Sequence, residues 1–253
     1  MVDIHTHILP GIDDGARDWE DSYRMAAMAA DSGVDTIVCS HHANIPRMYQ
    51  NYNSRYLWDL FEEFEDRLYQ GGFPLRIVRG MEIYCTEDVV EKIQRNMLLP
   101  INRTDYYLVE FGFYEPLRFM EDTLYDILSL GKVPIIAHPE RYIGLQEQPE
   151  ALYDWMRHGV LSQVNRGSLQ GRFGPDPQLA AEQFMEHRLV TCIATDAHSP
   201  HSRTTDMRGI YQQLSEQYSP ETADRLLDRN PRRIVEGKRI QHRHLIPFGP
   251  GSM

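Results

Sequence analysis

Asp3-Ile4-His5-Thr6-His7 stands at the start of the chain as a β-prone run carrying two imidazoles two positions apart. In an extended strand, residues i and i+2 share a face, so His5 and His7 are able to hold one metal ion between them. The pair alone is a weak signal. Eleven histidines in 253 residues sometimes fall in this spacing by accident, and His242 and His244 repeat it near the C-terminus. Its weight comes from the rest of the chain: Asp14, His42, Glu82, Glu110, His138, Asp196 and His198 appear in turn where apolar, strand-like runs stop.

Outward from that start, strand candidates alternate with helix-period segments. Val2 to His5 precedes a helix over Trp19–Ser32, whose Tyr23, Ala26, Ala27 and Ala30 share one stripe before Gly33 stops it. The spacing then predicts a strand over Val34–Cys39, a loop over Asn44–Asn53, a helix over Tyr56–Gln70, a strand over Leu75–Val78 and a short helix over Glu87–Arg95. Strands at Tyr106–Val109, Val133–Ala137, Val160–Val164 and Leu189–Ala194 alternate with helices at Leu117–Leu130, Pro149–Arg157 and Gln178–His187. Helices around Arg208–Tyr218 and Pro220–Leu227 close the series. About seven strand-helix units without linker or repeat predict an α/β fold, a parallel barrel with its site at the C-terminal ends of the strands. That rule gathers His7, His42, Glu82, Glu110, His138 and Asp196 into one cluster, and metal ligation explains why strand ends are specifically His and carboxylate. One domain over residues 1–238 and a basic, flexible tail over 239–253 are expected.

Composition narrows the function. With 42% hydrophobic and 25% charged residues the chain is ordinary for a globular enzyme, and its net charge of −11 argues against a nucleic-acid binder. No apolar stretch is long enough to span a bilayer and the N-terminus enters a strand at once, so no membrane insertion and a cytoplasmic location are expected. Cys39, Cys85 and Cys192 form no ligand pair and read as buried packing residues. The late basic run Arg229, Arg232, Arg233, Lys238, Arg239 and Arg243 reads as a solvated helix face and tail before it reads as a docking patch.

Taken together, Asp3-Ile4-His5-Thr6-His7, Asp13-Asp14-Gly15, Glu82-Ile83-Tyr84, Ala137-His138-Pro139-Glu140-Arg141-Tyr142, Gln163-Val164-Asn165, Thr195-Asp196-Ala197-His198 and Asn230-Pro231-Arg232 resemble the polymerase-and-histidinol-phosphatase (PHP) superfamily. Within it the chain looks most like the bacterial manganese-dependent protein-tyrosine phosphatases of capsule and exopolysaccharide operons. The resemblance covers about residues 1–238. It implies a distorted (β/α)7 TIM-like barrel with three metal ions. His5, His7, Glu82 and Asp196 would surround one ion, and Glu82, Glu110 and His138 a second, with Glu82 bridging. Asp14, His42 and His198 would hold the third. Ser40-His41-His42-Ala43 departs from the family's usual pattern; counting from Gly33 favours His42, with His41 as the alternative. The family's phosphate-binding arginines map to Arg141 and Arg203. The resemblance implies a tyrosine-phosphorylated protein partner, a polysaccharide-export tyrosine kinase, with a small-molecule PHP phosphatase such as one for histidinol phosphate as the alternative.

Oxygen-rich sites with imidazole suit Mn²⁺, Fe²⁺ or Zn²⁺, about three divalent ions in all with Mn²⁺ favoured. In the expected chemistry, metal-activated hydroxide attacks phosphorus while Arg141 and Arg203 neutralise its oxygens. His198 is a candidate proton donor as well as a ligand, with His201 a loop residue. Tyr49, Tyr52, Phe113 and Tyr114 are candidates for an aromatic rim, Tyr49 and Phe113 foremost. Amidohydrolases share the opening His-x-His, but the only lysines are Lys92, Lys132 and Lys238, and Lys132 precedes its strand. Cysteine phosphatases need Arg six residues beyond the nucleophile, where this chain has Ile45, Glu91 and His198. A metal-stabilised phosphoprotein-binding scaffold is the non-enzymatic alternative.

Overall fold

The computed structural model describes residues 1–240 and 244–249. Among the described residues there are nine short strands: β1 Val2–Thr6, β2 Thr36–Cys39, β3 His42–Ala43, β4 Arg76–Arg79, β5 Glu82–Tyr84, β6 Tyr106–Glu110, β7 Val133–Ala137, β8 Leu161–Asn165 and β9 Cys192–Ala194. All pair in parallel, in a three-stranded sheet ordered β1-β2-β4 and a six-stranded sheet ordered β3-β5-β6-β7-β8-β9. Only two residues separate β2 from β3, and two separate β4 from β5, so the nine pieces are seven passes of the chain. This is the distorted seven-stranded barrel that the sequence predicts.

The distortion has a local cause. Two passes change sheets halfway along, at Ser40-His41 and at Gly80-Met81. At Gly80 the strand crosses so close to its neighbour that a Cβ there would lie 2.6 Å from Val38 Cγ1. The other seam, β1 against β9, is joined by a single bridge, Thr6 to Ala197. There His7 N donates to Ala197 O at 2.9 Å and Asp196 N to His5 O at 2.9 Å. The seam therefore carries the first histidines and Asp196 side by side.

The helices are α1 Trp19–Asp31, α2 Arg55–Gln70, α3 Val89–Gln94, α4 Leu117–Ser129, α5 Ile143–Glu147, α6 Glu150–Arg157, α7 Arg166–Leu169, α8 Pro175–Glu186, α9 Arg208–Gln217, α10 Pro220–Asp224 and α11 Asn230–Val235. Side-chain caps set three starts: Asp18 accepts from Asp21 N, Ser54 from Leu57 N and Ser219 from Thr222 N. α8 begins three residues before the predicted Gln178 because Pro175 suits the first helical turn. β9 is shorter than the predicted Leu189–Ala194, and β2 starts at Thr36 rather than Val34. The missed elements, β3, β5, α5, α7 and α11, are too short to show a period.

A small apolar cluster drawn from seven passes, including Val2, Val38, Val78, Leu108, Ile135, Leu161 and Cys192, fills the barrel interior. Ile234, Val235 and Ile240 close its lower end. The larger cluster lies between strands and helices and contains Phe61, Phe64, Trp155 and Phe184. Interior positions repeat every second residue, so Leu108 leads up to Glu110, and Cys192 and Ala194 lead up to Asp196. An apolar plug below thus ends in a polar cluster above.

Arg232 of the basic run is engaged in the fold, pairing with Asp35 at 2.8 Å and Asp228 at 2.6 Å. Of the expected tail, Phe248 stacks on His187 at 3.7 Å. Residues 241–243 and 250–253, with His242 and Arg243 among them, lie outside the described residues. Among the described residues no helix is long and apolar enough to cross a membrane.

Candidate active site

At the C-terminal ends of the strands the nine residues expected as ligands converge. Three overlapping groups have ligand atoms within 4.8 Å of one another: His5, His7 and Asp196; His42, Glu82 and Glu110; and His7, Asp14, His42 and His198. Glu82 lies at the centre. Its Oε1 is 3.1 Å from His5 Nε2 and 2.9 Å from His138 Nε2, and its Oε2 is 3.2 Å from His7 Nε2 and 3.0 Å from His42 Nδ1. The grouping differs in detail from the expected one. His42 Nδ1 is also 2.9 Å from Glu110 Oε1, whereas His138 Nε2 is 4.0 Å from Glu110 Oε2. His42 thus stands between the second and third groups, because β3 pairs with β5 in register at Glu82.

The alternative ligand His41 is fully buried, 5.9 Å from the Phe61 ring, and among the described residues neither of its ring nitrogens has a hydrogen-bond partner. Burial pulls its pKa down to about 4. It faces away from the ligand groups, and His42 takes the place in them.

The surroundings aim the imidazoles. Gln163 Nε2 donates to Asn165 Oδ1 at 2.9 Å, so its Oε1 accepts from His5 Nδ1 at 2.6 Å and leaves His5 Nε2 as the free lone pair. Asn165 in turn donates to Asp196 Oδ2 at 2.7 Å. Asp13 Oδ2 accepts from His7 Nδ1 at 2.7 Å and from His42 N at 2.9 Å. An amide behind the His5 ring and a carboxylate behind the His7 ring form the arrangement that orients metal-binding histidines. Gly15 makes the Asp13-Asp14 turn possible, since a Cβ there would fall 2.2 Å from His7 O. Asp14 Oδ1 is thereby brought 3.5 Å from both His42 and His198.

Two strand-end residues adopt left-handed backbone, His138 at φ 36° and Asp196 at φ 50°. Such conformations are costly for residues with a Cβ and concentrate at functional sites. The turn at His138 sends Glu140 inward, where Oε1 accepts from Asn165 N and Ser168 Oγ, and Arg141 outward over the cluster. Asp3, on the face of His5, binds Thr195 Oγ1 at 2.6 Å and steadies the segment before Asp196.

The donor set fits divalent cations. Among the described residues, His42 Nδ1, Glu82 Oε2 and Glu110 Oε1 are buried without a hydrogen-bond partner, although both carboxylate oxygens lie within ion-pair distance of the imidazole. Atoms so placed converge on a common point rather than on each other. Burial alone would raise the Glu82 carboxyl, but His5 and His42 hold it well below the usual range. Burial and the Glu82 charge push Glu110 up. For His42, burial opposes protonation, yet Glu82 and Glu110 raise its pKa to about 10. A proton held between carboxylates in this way is what a divalent metal displaces. The mixture of imidazole and carboxylate, with no thiolate, suits Mn²⁺, Fe²⁺ or Zn²⁺.

Arg203 Nη2 lies 2.5 Å and Arg141 Nη1 3.6 Å from Asp196 Oδ2, so both guanidinium groups face the cluster. Arg166 anchors the Arg203 loop through Thr204 O at 2.6 Å and Asp206 O. Phe113 lies 4.5 Å from Arg141 Cζ on one side and Phe173 lies 4.7 Å from it on the other, with Arg203 Cζ 5.7 Å from Phe173. Phe173 is absent from the residues expected at the site. It lies in an irregular loop, and its ring rests against Gly167, where a Cβ would be 2.8 Å away.

Tyr49 stacks on His42 at 5.9 Å with an interplanar angle of 6°. Tyr52 does not join the rim, because its hydroxyl bonds Asn44 and its ring lies under Lys92. Tyr114 is 86% exposed, and the exposed His201 bonds within its own loop.

All three cysteines are buried and their thiols are pushed up by burial, away from the thiolate form. Cys39→Ala, Cys85→Ala and Cys192→Ala are each expected to keep phosphatase turnover within about threefold of the parent, a core substitution at these sites acting on stability instead. A folded cysteine variant without turnover would place a thiol in the reaction.

Comparison with known proteins agrees with this geometry. The chain is 34% identical to the tyrosine-protein phosphatase YwqE of Bacillus subtilis over 87% of this chain and 86% of that protein. It is 31% identical to the tyrosine-protein phosphatase CpsB of Streptococcus pneumoniae over 93% and 98%. A crystal structure from the pair YwqE and CpsB, there called metal-dependent tyrosine phosphatases, matches with a TM-score of 0.91 and 32% identity over 99% of this chain and 100% of that one. Since the family model for capsular polysaccharide synthesis proteins, CpsB/CapC, also matches residues 1–236, the chain belongs to the CpsB/CapC family of the PHP superfamily.

Proposed function

We propose that this protein is a metal-dependent protein-tyrosine phosphatase whose substrate is a tyrosine-phosphorylated protein of capsule or exopolysaccharide regulation, a polysaccharide-export tyrosine kinase. The observation that carries the reading is the pair Arg141 and Arg203, both turned onto Asp196 at the edge of a largely buried cluster of His, Asp and Glu side chains. The ligands proposed are His5, His7, Asp14, His42, Glu82, Glu110, His138, Asp196 and His198, for about three ions, Mn²⁺ foremost. Bound there, such ions acidify a water to a nucleophile and polarise phosphoryl oxygens.

The chain's own residues do the rest. Arg141 and Arg203 bind the non-bridging oxygens, each guanidinium offering a planar pair of donors. Asp196 Oδ2, which now faces them, holds them over the cluster ready for a phosphoryl group. His198 acts as a ligand rather than a proton donor. Its Nδ1 donates to Asp196 O at 3.1 Å, leaving Nε2 with the lone pair, and burial pulls its pKa down to about 4. A tyrosyl phenolate leaves readily and needs little proton donation.

Phe113 and Phe173 flank Arg141 and line the approach, which suits a flat aryl phosphate. A phosphotyrosine also carries its phosphorus farther from the backbone than phosphoserine does, and so reaches a recessed centre. Turnover of matched phosphotyrosine and phosphoserine peptides and of histidinol phosphate tests this. The tyrosyl peptide is expected to lead by about two orders of magnitude or more in kcat/KM. Phe173→Ala is expected to lower that value about 3- to 30-fold, the range of a cation–π contact, with Phe173→Tyr close to the parent. Preference for histidinol phosphate over the tyrosyl peptides tested would overturn the substrate assignment.

A further inference from the structure

The opposite end of the barrel carries a second feature. A cleft of about 640 Å³ is lined by Arg188, Arg225, Arg229 and Arg233, with Glu221 as its acidic residue and His244 beside them. Asn230 Nδ2, also in the lining, donates to Thr191 O at 2.7 Å, which puts the cleft at the N-terminal end of β9. Asp196 is five residues further along, roughly 16 Å of extended chain. The cleft and the ligand cluster are therefore separate.

Its charge is not balanced from within. Arg229 bonds Glu221 O at 3.0 Å and approaches its carboxylate at 3.7 Å, and Arg233 donates to Arg239 O at 2.7 Å. Among the described residues, neither Arg188 nor Arg225 has a carboxylate within ion-pair distance. Arg225 is about half buried, and its pKa is lowered by that burial and by the like charges of Arg188 and Arg229. In a chain of net charge −11, carboxylates to neutralise these groups are plentiful, yet four arginines share one. The backbone is unusual at the same place. Arg225 and Arg229 begin and end a π-helical turn, a conformation that costs helix stability and recurs at functional sites.

We propose that this cleft binds a compact anion bearing two or more phosphoryl groups. Guanidinium groups recognise phosphate through paired donors, and four of them against one glutamate leave an excess of positive charge. A single phosphomonoester carries only about −1.5 to −2, so a pyrophosphoryl group matches the lining better. Apart from the imidazole of His244, the described lining has no aromatic ring to stack a base and no apolar floor for an acyl chain. Recognition therefore rests on the phosphates, whether they belong to a soluble molecule or a lipid headgroup.

Calorimetric titration of the Mn²⁺-loaded enzyme with inorganic pyrophosphate, the metal kept in excess over the ligand, tests the site. Two binding events are expected, one lost in Arg141→Ala and the other weakened about 10- to 100-fold in Arg188→Glu/Arg225→Gln. That double variant should hydrolyse p-nitrophenyl phosphate at the parent rate. Arg188→Glu alone, at an exposed position, should weaken the second event about tenfold and keeps the test valid where the double variant fails to fold. Pyrophosphate should also slow hydrogen exchange over residues 221–233. A single event lost in Arg141→Ala, a second event of unchanged affinity in Arg188→Glu, or binding to phosphatidylglycerol vesicles without any response to pyrophosphate would overturn the proposal.

Discussion

Replacing Glu82 with alanine is expected to lower kcat/KM for a phosphotyrosine peptide at least about a thousandfold, and to lower bound metal by more than one ion per chain. Both Glu82 oxygens are committed: Oε1 to His5 and His138, Oε2 to His7 and His42. One change therefore removes donors from more than one ion, and leaves several buried imidazoles without the carboxylate that offsets their burial. His198→Ala is expected to cost less, about 10- to 100-fold, because His198 stands at the edge of the cluster beside the half-exposed Asp14. Glu82→Gln keeps the volume and separates loss of charge from loss of packing. Equal, mild losses in Glu82→Ala and His198→Ala would contradict a central role for Glu82.

Arg141→Ala should cost about 10²- to 10³-fold in kcat/KM, the effect of removing one charge-stabilising donor from a reacting centre. Arg203→Ala belongs in the same range, since the two guanidinium groups meet at the same Asp196 oxygen. The loss should fall on kcat more than on KM, because negative charge on the oxygens they bind is redistributed in the transition state. Arg141→Lys should recover little of it. Lysine restores a point charge but not the planar fork, nor the stacking between Phe113 and Phe173. Parent-like kinetics in Arg141→Ala, with the cluster still loaded, would remove this residue from phosphate binding.

The convergence of the candidate ligands was legible because parallel barrels gather strand ends. Glu82, Glu110 and Asp196 could be placed at one end from the sequence, since each terminates an apolar run. The sharing of ligands was not, because it depends on where two passes change sheets, and β3 at His42–Ala43 and β5 at Glu82–Tyr84 are too short to leave a periodic trace. His42 rather than His41 follows from that same two-residue strand. Asp13 and Gln163 behind the imidazoles lay inside recognisable motifs, but only the fold shows which atoms they bind. Asp3 had a usable signal, sharing a strand face with His5 at a spacing of two. Phe173 had none: its place beside both arginines depends on the bare backbone of Gly167 and on a loop anchored by no repeating pattern.

This protein's phosphatase chemistry is expected to depend on a multi-ion cluster at the strand ends. Elemental analysis of the manganese-loaded enzyme, with phosphotyrosine turnover measured on the same samples before and after chelation, addresses it directly. The expected result is about three divalent ions per chain, turnover that falls to background when they are removed, and recovery when Mn²⁺ is restored. At most one tightly held ion per chain, or full turnover by the metal-free protein, would contradict it.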